Sequence, residues 1–400
     1  MLATVAAPAR ADGVRDAQWP LDTYRTASSI WPVSQGEGVT VAVIDSGVLK
    51  EHQDLTGQVL AGADFTGQKT DGTEDTSGHG TGMASLIAGH GHGTGAGIMG
   101  LAPKSKILPV RITLDEGSLL PQSEVARAIR YAVDHGAKVI NMSIGGPSGA
   151  DPEERSAVNY ALDKDVVVVA STGNDGDKNG AVEYPAAFPG VVAVGAVDRN
   201  GLIWSKSSSG PETTLVAPGA EVPHAIAKST SAHGLGNGTS AATAYVSATA
   251  ALIRAKYPEL SAGQVINRMI RSAVPPGDGS AVPSNRYGYG VLAPGKALEV
   301  NPAVDGGPRE NPLAGRAESQ GGVSPGTGEV VGETPAPVVP EGGNRGVRWV
   351  LVGAAGIAGA VLVGAVVTVL VVVRGRRRRE RAAAAGYPGH PQQQWPPRQG

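Results

Sequence analysis

Apolar runs alternate with helical patterns along most of the first 300 residues. The runs that predict strands are Val39–Ile44, Lys106–Ile112, Lys138–Ser143, Val166–Ala170, Val191–Val197 and Thr214–Val216. Runs that are apolar throughout are typical of parallel strands covered on both faces. The pattern therefore predicts an α/β fold, with a doubly wound, mostly parallel sheet and helices on both faces.

Between these runs lie helical patterns whose first residues carry capping signals. The predicted helices are Glu124–His135 after Ser123, a helix after Asp151 with Pro152 first and Glu154 in a capping-box-like place, and Ala262–Ser272 after Ser261. A further helix over Ala241–Ile253 carries almost no charge and is expected to be buried, with Thr239 or Ser240 as its cap. Ligands of such folds bind beyond the carboxyl ends of the strands.

The C-terminal quarter has a different pattern. Residues 301–346 are rich in proline, glycine and acid without periodicity, which predicts a linker. Trp349–Val373 is an uncharged run long enough to span a bilayer, and an arginine cluster follows it. We predict a transmembrane helix over 347–374 rather than a buried core helix. The positive-inside rule then places the Pro/Gln-rich tail 375–400 in the cytoplasm and the main domain outside.

The N-terminus has the features of an incomplete export signal. Residues 1–11 combine a short apolar stretch with the small-residue site Ala9-Arg10-Ala11, although a flexible terminus is the alternative. Residues 12–37 form a polar lead-in anchored by Trp19 and Trp31, and residues 38–300 form the main domain.

Composition excludes several kinds of chemistry. The 400 residues contain no cysteine, so disulfides, thiolate catalysis and cysteine-ligated metals are excluded. The formal net charge of −2 offers no argument for nucleic-acid binding. A hydrophobic fraction of 41% is sufficient for a core, and only two phenylalanines mean that smaller aliphatic residues build it.

Three stretches carry candidate chemistry. Ser240 follows a glycine-rich turn at the start of a helix, where free N–H groups favour developing negative charge. Taken alone, it would be an ordinary capping serine. Asp45, however, ends an apolar strand, and His79 lies between glycines at the start of another helix. Asp, His and Ser in this chain order form the triad of the subtilisin architecture.

The sequence resembles the subtilisin-like (subtilase) serine peptidases over roughly Gly36 to Leu298. The matching motifs are VAVIDSGV around Asp45, GHGT around His79 and NGTSAATAYV around Ser240. The resemblance implies that Ser240 is the nucleophile, His79 the general base and acid, and Asp45 the residue that orients His79. It also implies an oxyanion hole formed by the Asn174 amide and the Ser240 N–H, and a substrate-pairing edge at Ser143, Ile144 and Gly145. Ala244 departs from the motif, because the family usually has proline there.

The lead-in and the apolar C-terminal run resemble those of the mycosins, the membrane-anchored subtilases of type VII secretion systems. This implies an extracytoplasmic serine endopeptidase held at the cell membrane that cleaves exported polypeptides. Its expected partners are a polypeptide substrate, the membrane and type VII components, with no nucleic acid. The alternative is a structural component of the secretion complex whose catalysis is dispensable.

The remaining histidines and acids give no basis for a metal or cofactor. His90 and His92 are expected in a solvated loop, since no acid or cysteine neighbours them in sequence. His52 is expected to pack or bond locally, and His233 follows no pattern. The acidic stretch from Asp71 to Asp75 suggests an exposed loop rather than a calcium site.

Overall fold

The computed structural model describes residues 13–114, 121–146, 149–178 and 180–316. Its strands are β1 Thr40–Asp45, β2 Ala63–Asp64, β3 His90–His92, β4 Ala96–Met99, β5 Lys106–Arg111, β6 Val139–Met142, β7 Val167–Ser171, β8 Val192–Val197, β9 Thr213–Pro218, β10 Val222–Ala225 and β11 His233–Gly236. Its α-helices are α1 Trp19–Thr23, α2 His79–Ala88, α3 Gln122–Asp134, α4 Pro152–Asp163, α5 Thr239–Lys256, α6 Ala262–Ser272, α7 Pro294–Ala297 and α8 Pro302–Asp305, with a π-helical turn over Thr26–Ile30.

Seven strands form one sheet in the order β2-β5-β1-β6-β7-β8-β9, and every pair in it is parallel. All six predicted strands are present and belong to this sheet. The chain leaves β1 towards β5 on one side and returns to β6 on the other, so the strand order reverses at β1. Ligands of open α/β sheets bind outside the carboxyl ends of strands at such a reversal.

Alternate residues of each strand enter two different cores. In β1, Val41 and Val43 pack with α2, α5 and α6, whereas Ala42 and Ile44 pack with α3 and α4. This follows from the two-residue period of a strand, and it explains why the strands are apolar at every position. The predicted doubly wound arrangement, with helices on both faces, is confirmed.

Two predicted helix caps are confirmed and others are wrong. Asp151 accepts the N–H groups of Glu153 and Glu154, each at 2.9 Å, and Ser261 forms a full capping box with Gln264. Glu154 completes no such box, since one of its carboxyl oxygens is buried without a hydrogen bond.

Two helices also begin at other residues than predicted. Pro121 rather than Ser123 precedes the first turn of α3, and Gly238 rather than Thr239 or Ser240 precedes α5. Neither Pro121 nor Gly238 has a side-chain cap bond, and the first N–H of α5, that of Thr239, is accepted instead by the side chain of Asn174 at 2.9 Å.

The N-terminal lead-in packs onto the main domain. Leu21 and Ile30 belong to the same core as α2 and α5. The indole of Trp31 donates to the carbonyl of Leu101 at 3.1 Å, and Ser34 donates to the carbonyl of Leu252 near the end of α5. The Trp31 and Ser34 bonds lie near the C-terminal ends of α2 and α5, whereas the Tyr24 ring packs edge-on against Tyr245, nearer the start of α5.

None of the helices that the structure describes is both long and apolar enough to cross a membrane. The predicted signal over 1–11 and the predicted membrane span over 347–374 fall outside the described residues.

Candidate active site

Asp45 and His79 are joined by a two-point hydrogen bond. Asp45 is the last residue of β1 and fully buried, whereas His79 is the first residue of α2 and its side chain is 36% exposed. The His79 Nδ1 lies 2.8 Å and 3.0 Å from the two carboxylate oxygens of Asp45. This contact makes Nδ1 the protonated nitrogen and leaves Nε2 as the basic one.

A glycine makes this contact possible. A side chain at Gly80 would overlap the carbonyl of Gly47 and would place its Cβ 3.0 Å from the Cβ of Asp45. The first turn of α2 can therefore approach the end of β1 only because position 80 has no side chain.

The second carboxylate near His79 is Asp75. It is buried and accepts the N–H groups of Gly78 at 2.7 Å and Thr81 at 2.9 Å, together with the Ser46 hydroxyl at 2.9 Å. An anion at this place is stabilised by the free N–H groups of the α2 N-terminus. The prediction that Asp75 lies in an exposed loop was wrong, because its carboxylate organises the first turn of α2.

These charges set the pKa of His79. Burial lowers this pKa, but the charge and hydrogen bond of Asp45 and the charge of Asp75 outweigh burial, so the pKa is raised above its ordinary value.

Ser240, the second residue of α5, is bonded to Ser143 rather than to His79. Its hydroxyl donates to the backbone carbonyl of Ser143 at 3.1 Å, and the Ser143 hydroxyl donates to the backbone carbonyl of Ser240 at 2.9 Å. Ser143 directly follows β6, so the pair ties the start of α5 to the carboxyl edge of the sheet.

Asn174 lies beside the start of α5. Its side-chain oxygen accepts the Thr239 N–H at 2.9 Å and the Thr239 hydroxyl at 3.1 Å. Because a backbone N–H can only donate, the amide oxygen must face Thr239, and the NH₂ group remains as a donor on the exposed side chain.

The expected substrate edge, Ser143, Ile144 and Gly145, lies beside a second backbone segment, which begins at Ser171. Ser171 donates its hydroxyl to the carbonyl of Ile144 at 3.1 Å. Asp45, Ser143 and Asn174 thus all lie at or beyond the ends of parallel strands, as the fold predicts.

Comparison with known proteins shows the family. The profile of the Subtilase family matches residues 36–290 of the chain. The chain belongs to the subtilase family. Members of this family are serine endopeptidases, so this chain is an enzyme of that class.

Relatives agree with this result. The subtilase is similar to subtilisin DY of Bacillus licheniformis, 38% identical over 260 residues, which cover 64% of this chain and 90% of the relative. It is 36% identical to subtilisin E of Bacillus subtilis over 259 residues, again 64% of this chain but 65% of that longer relative.

Among solved structures, the subtilase resembles MycP1 from the ESX-1 type VII secretion system, with a TM-score of 0.63 and 30% identity over 74% of this chain and 88% of that one. It also resembles the MycP3 protease from the ESX-3 type VII system, with a TM-score of 0.60 and 31% identity over 74% of this chain and 90% of that one. The mycosin-like character of the subtilase is therefore shown.

Sequence reasoning missed a histidine–aspartate cluster in the subtilase. Buried Asp54 lies 2.6 Å from His92 Nδ1 and 2.7 Å from His233 Nε2. His52, Asp54 and His233 each offer a ligand atom within 4.8 Å of the others. The prediction that His90 and His92 lie in a solvated loop was wrong, because both belong to β3 and His92 bonds to Asp54, which is 38 positions away in sequence.

A half-buried glutamate was missed as well. Glu183 is in none of the motifs, yet its side chain lies against both Gly145 and Gly173. Burial first, and then the charge of Asp175, raise the pKa of Glu183 to about 7. The only sequence feature that could have pointed to Glu183 was the pair of glycine-containing segments around Gly145 and Gly173, which its side chain contacts.

Proposed function

We propose that this subtilase is an extracytoplasmic serine endopeptidase, anchored by residues 347–374, whose catalytic residues are Asp45, His79, Ser240 and Asn174. The observation that supports this most directly is the bond from both oxygens of buried Asp45 to Nδ1 of His79. It holds the neutral tautomer in which Nε2 can accept a proton from serine.

The reaction begins when the Ser240 hydroxyl leaves the Ser143 carbonyl and turns to Nε2 of His79. Ser240 Oγ then attacks the carbonyl carbon of the substrate while its proton passes to Nε2. His79 next gives that proton to the leaving amine, and the C–N bond breaks to leave an acyl-enzyme. Water, deprotonated by His79, hydrolyses the ester and restores the Ser240 hydroxyl.

The tetrahedral intermediate carries a negative oxygen, for which two donors are available. One is the NH₂ group of Asn174, whose orientation follows from the bond between its oxygen and the Thr239 N–H. The other is the N–H of Ser240, which lies in the first turn of α5 and has no partner within that helix.

The substrate is an extended polypeptide that pairs with Ser143, Ile144 and Gly145. Such pairing supplies main-chain hydrogen bonds, and alternate side chains enter pockets on the enzyme. The bonds between Ser143 and Ser240 support this arrangement, because they keep the pairing edge next to the nucleophile.

The cellular setting is a further part of the proposal. Trp349–Val373 would anchor the enzyme, with the arginine cluster that follows in the cytoplasm and the peptidase domain outside. The likeness to MycP1 and MycP3 supports a role in processing proteins exported by a type VII system.

An activity-based probe tests the chemistry. The purified full chain is treated with a fluorophosphonate, which forms a covalent bond with an activated serine. We expect labelling of the native protein and its loss in Ser240→Ala and His79→Ala. Labelling that persists in Ser240→Ala would refute the assignment of the nucleophile, as would a folded native protein that takes up no probe.

A second experiment separates proteolysis from a structural role. Cells carrying Ser240→Ala are compared with cells that lack residues 349–373, and secretion of the type VII substrates is measured. A processing role predicts uncleaved substrates in Ser240→Ala. Substrates that are cleaved normally in Ser240→Ala, with secretion lost only in the deletion, would support the structural alternative.

A further inference from the structure

Two backbone segments flank a gap beside the nucleophile, and each is connected to it. One segment, Ser143 to Gly145, begins with Ser143, which is hydrogen-bonded to Ser240. Ser171 to Gly173 ends one residue before Asn174. In the endopeptidase proposed above, on which this inference rests, the substrate carbonyl lies between Ser240 and Asn174. With the substrate paired along Ser143 to Gly145, the side chain of the residue that supplies this carbonyl would enter the space between the two segments.

The side chain of Glu183 lies in this gap. A Cβ atom added to Gly173 would lie 2.5 Å from Cδ and 2.6 Å from Oε1 of Glu183. A Cβ atom added to Gly145 would overlap its other carboxyl oxygen. Glycine on both sides thus lets one carboxyl group lie directly against both backbone segments.

The backbone of Glu183 is held to the same place. Its N–H donates to the carbonyl of Thr172 at 3.1 Å, and the carbonyl of the next residue, Tyr184, accepts the N–H of Gly146 at 3.3 Å. Glu183 is therefore bound directly to one segment, and its neighbour Tyr184 is bound to the residue that follows the other.

The carboxyl group of Glu183 has no cationic partner within the part of the chain that the structure describes. No hydrogen bond or ion pair there engages it, although the group is half-buried. Burial of a carboxylate without a partner is unfavourable, and a cation entering the gap would restore the lost stabilisation. The charge that acts on it is the carboxylate of Asp175, which is itself paired with Lys178 at 2.7 Å.

We propose that Glu183 is a specificity residue that selects substrates with lysine or arginine at the residue whose carbonyl is attacked. The long aliphatic stem of either side chain suits a narrow gap between two backbone segments, and its charged end would meet the Glu183 carboxylate. Acidic side chains are disfavoured there, because Glu183 would repel them.

Matched covalent probes test this proposal on the full chain. Two peptidyl diphenyl phosphonates are used that differ only at the residue bound in the gap, which is lysine in one and norleucine in the other. Norleucine keeps most of the stem and lacks the ammonium. In the native protein we expect the lysine probe to react about tenfold faster or more, the size of effect that one partly exposed charged hydrogen bond supports. In Glu183→Gln, which keeps the shape and removes the charge, the ratio should fall to about one.

Two controls make the result specific. Glu154→Gln neutralises another buried carboxyl whose pKa is raised to about 7, on α4, and should leave the lysine preference unchanged. A plain fluorophosphonate has no peptide side chain, and its reaction rate should be equal in the native protein and in Glu183→Gln. Equal rates of the two peptide probes in the native protein would overturn the proposal, and so would a lysine preference that survives Glu183→Gln.

A binding measurement separates this inference from the catalytic one. Peptides that end in lysine or norleucine are titrated against Ser240→Ala, in which the nucleophile is absent, and against the same variant carrying Glu183→Gln. Tighter binding of the lysine peptide that is lost with Glu183→Gln would support the role of Glu183. This holds even if the plain fluorophosphonate labels nothing, because a failure to label would count against the proposed catalysis and not against the role of Glu183. Equal affinities in both backgrounds would refute the role of Glu183.

Discussion

Ser143 and Ser240 hold each other through reciprocal hydrogen bonds, with each hydroxyl donating to the backbone carbonyl of the other. The Ser143 hydroxyl also accepts from the amide of Asn141, a residue that is completely buried. The position of Ser240, the proposed nucleophile, is therefore coupled to the interior of the sheet through the Ser143 side chain.

We expect Ser143→Ala to impair both stability and reactivity. It leaves the buried Asn141 NH₂ group without this acceptor, a loss of about 1–3 kcal/mol in the free energy of unfolding. The fluorophosphonate labelling rate should also fall, by about tenfold, because the start of α5 loses its link to β6. Ser105→Ala removes another fully buried hydroxyl, bonded to Gly36, and should reduce stability without slowing the labelling. Equal labelling rates in the two variants would contradict this coupling.

The charge of Asp75 should set the pH at which the enzyme becomes active. In the proposed mechanism His79 is the base and must be neutral, so kcat/KM should rise as pH increases through the pKa of His79. Asp75 contributes to raising that pKa, and Asp75→Asn should therefore lower it and move the acidic limb of the profile to lower pH.

Asp71→Asn is the control for this shift. It changes a carboxylate of the same loop whose bonds are to Thr73, and the limb should stay where it is. Asp75→Asn will also weaken the first turn of α2, since an amide nitrogen cannot accept the Thr81 N–H. An acidic limb that stays in place or moves upward in Asp75→Asn would show that Asp75 has a structural role alone.

In the proposed mechanism Asn174 has two functions, and substitutions can separate them. Asn174→Asp keeps an oxygen for the Thr239 N–H but loses the NH₂ donor and adds a charge that repels the oxyanion. Its kcat should fall by at least the roughly 10²–10³-fold known for loss of the oxyanion asparagine in subtilisin, a member of this family. Asn174→Ala should lose activity and, unlike Asn174→Asp, also leave the Thr239 N–H without its acceptor. Thermal unfolding and kcat measured side by side test this, and a fully active Asn174→Asp would remove Asn174 from the mechanism.

The sequence was sufficient to predict six of the seven strands of the main sheet, because their signal is local. Each parallel strand is buried on both faces, so Val39–Ile44 and the other runs are apolar at every position. The short strands β2, β3, β4, β10 and β11 were not predicted, because they contain glycine, histidine or too few residues to show a period.

The parts of the site that were missed depend on contacts between distant residues. His92 and Asp54 are 38 positions apart, and Glu183 reaches Gly145 from a segment with no motif of its own. Asp75 resembled a loop acid because burial is decided by what packs around a residue, here the first turn of α2. Short motifs identified the candidate chemistry at Asp45, His79 and Ser240, whereas the residues that tune it became evident only from the fold.

The approach of α2 to β1 gives the most local test of the site. In Gly80→Ala, the new methyl group would overlap the carbonyl of Gly47 and press on Asp45, so α2 must shift and carry His79 with it. Overpacking of this kind costs about 1–3 kcal/mol of stability. A displacement of about 1 Å at a reacting group can cost about 10²-fold in rate. The measurement is kcat together with the midpoint of thermal unfolding.

Gly315→Ala, where an added Cβ meets nothing within 4 Å, is the matched control, and its kcat and unfolding midpoint should equal those of the native protein. If Gly80→Ala retained native kcat, the hydrogen bond between His79 and Asp45 would tolerate movement of α2, and the close approach at position 80 would serve packing rather than catalysis.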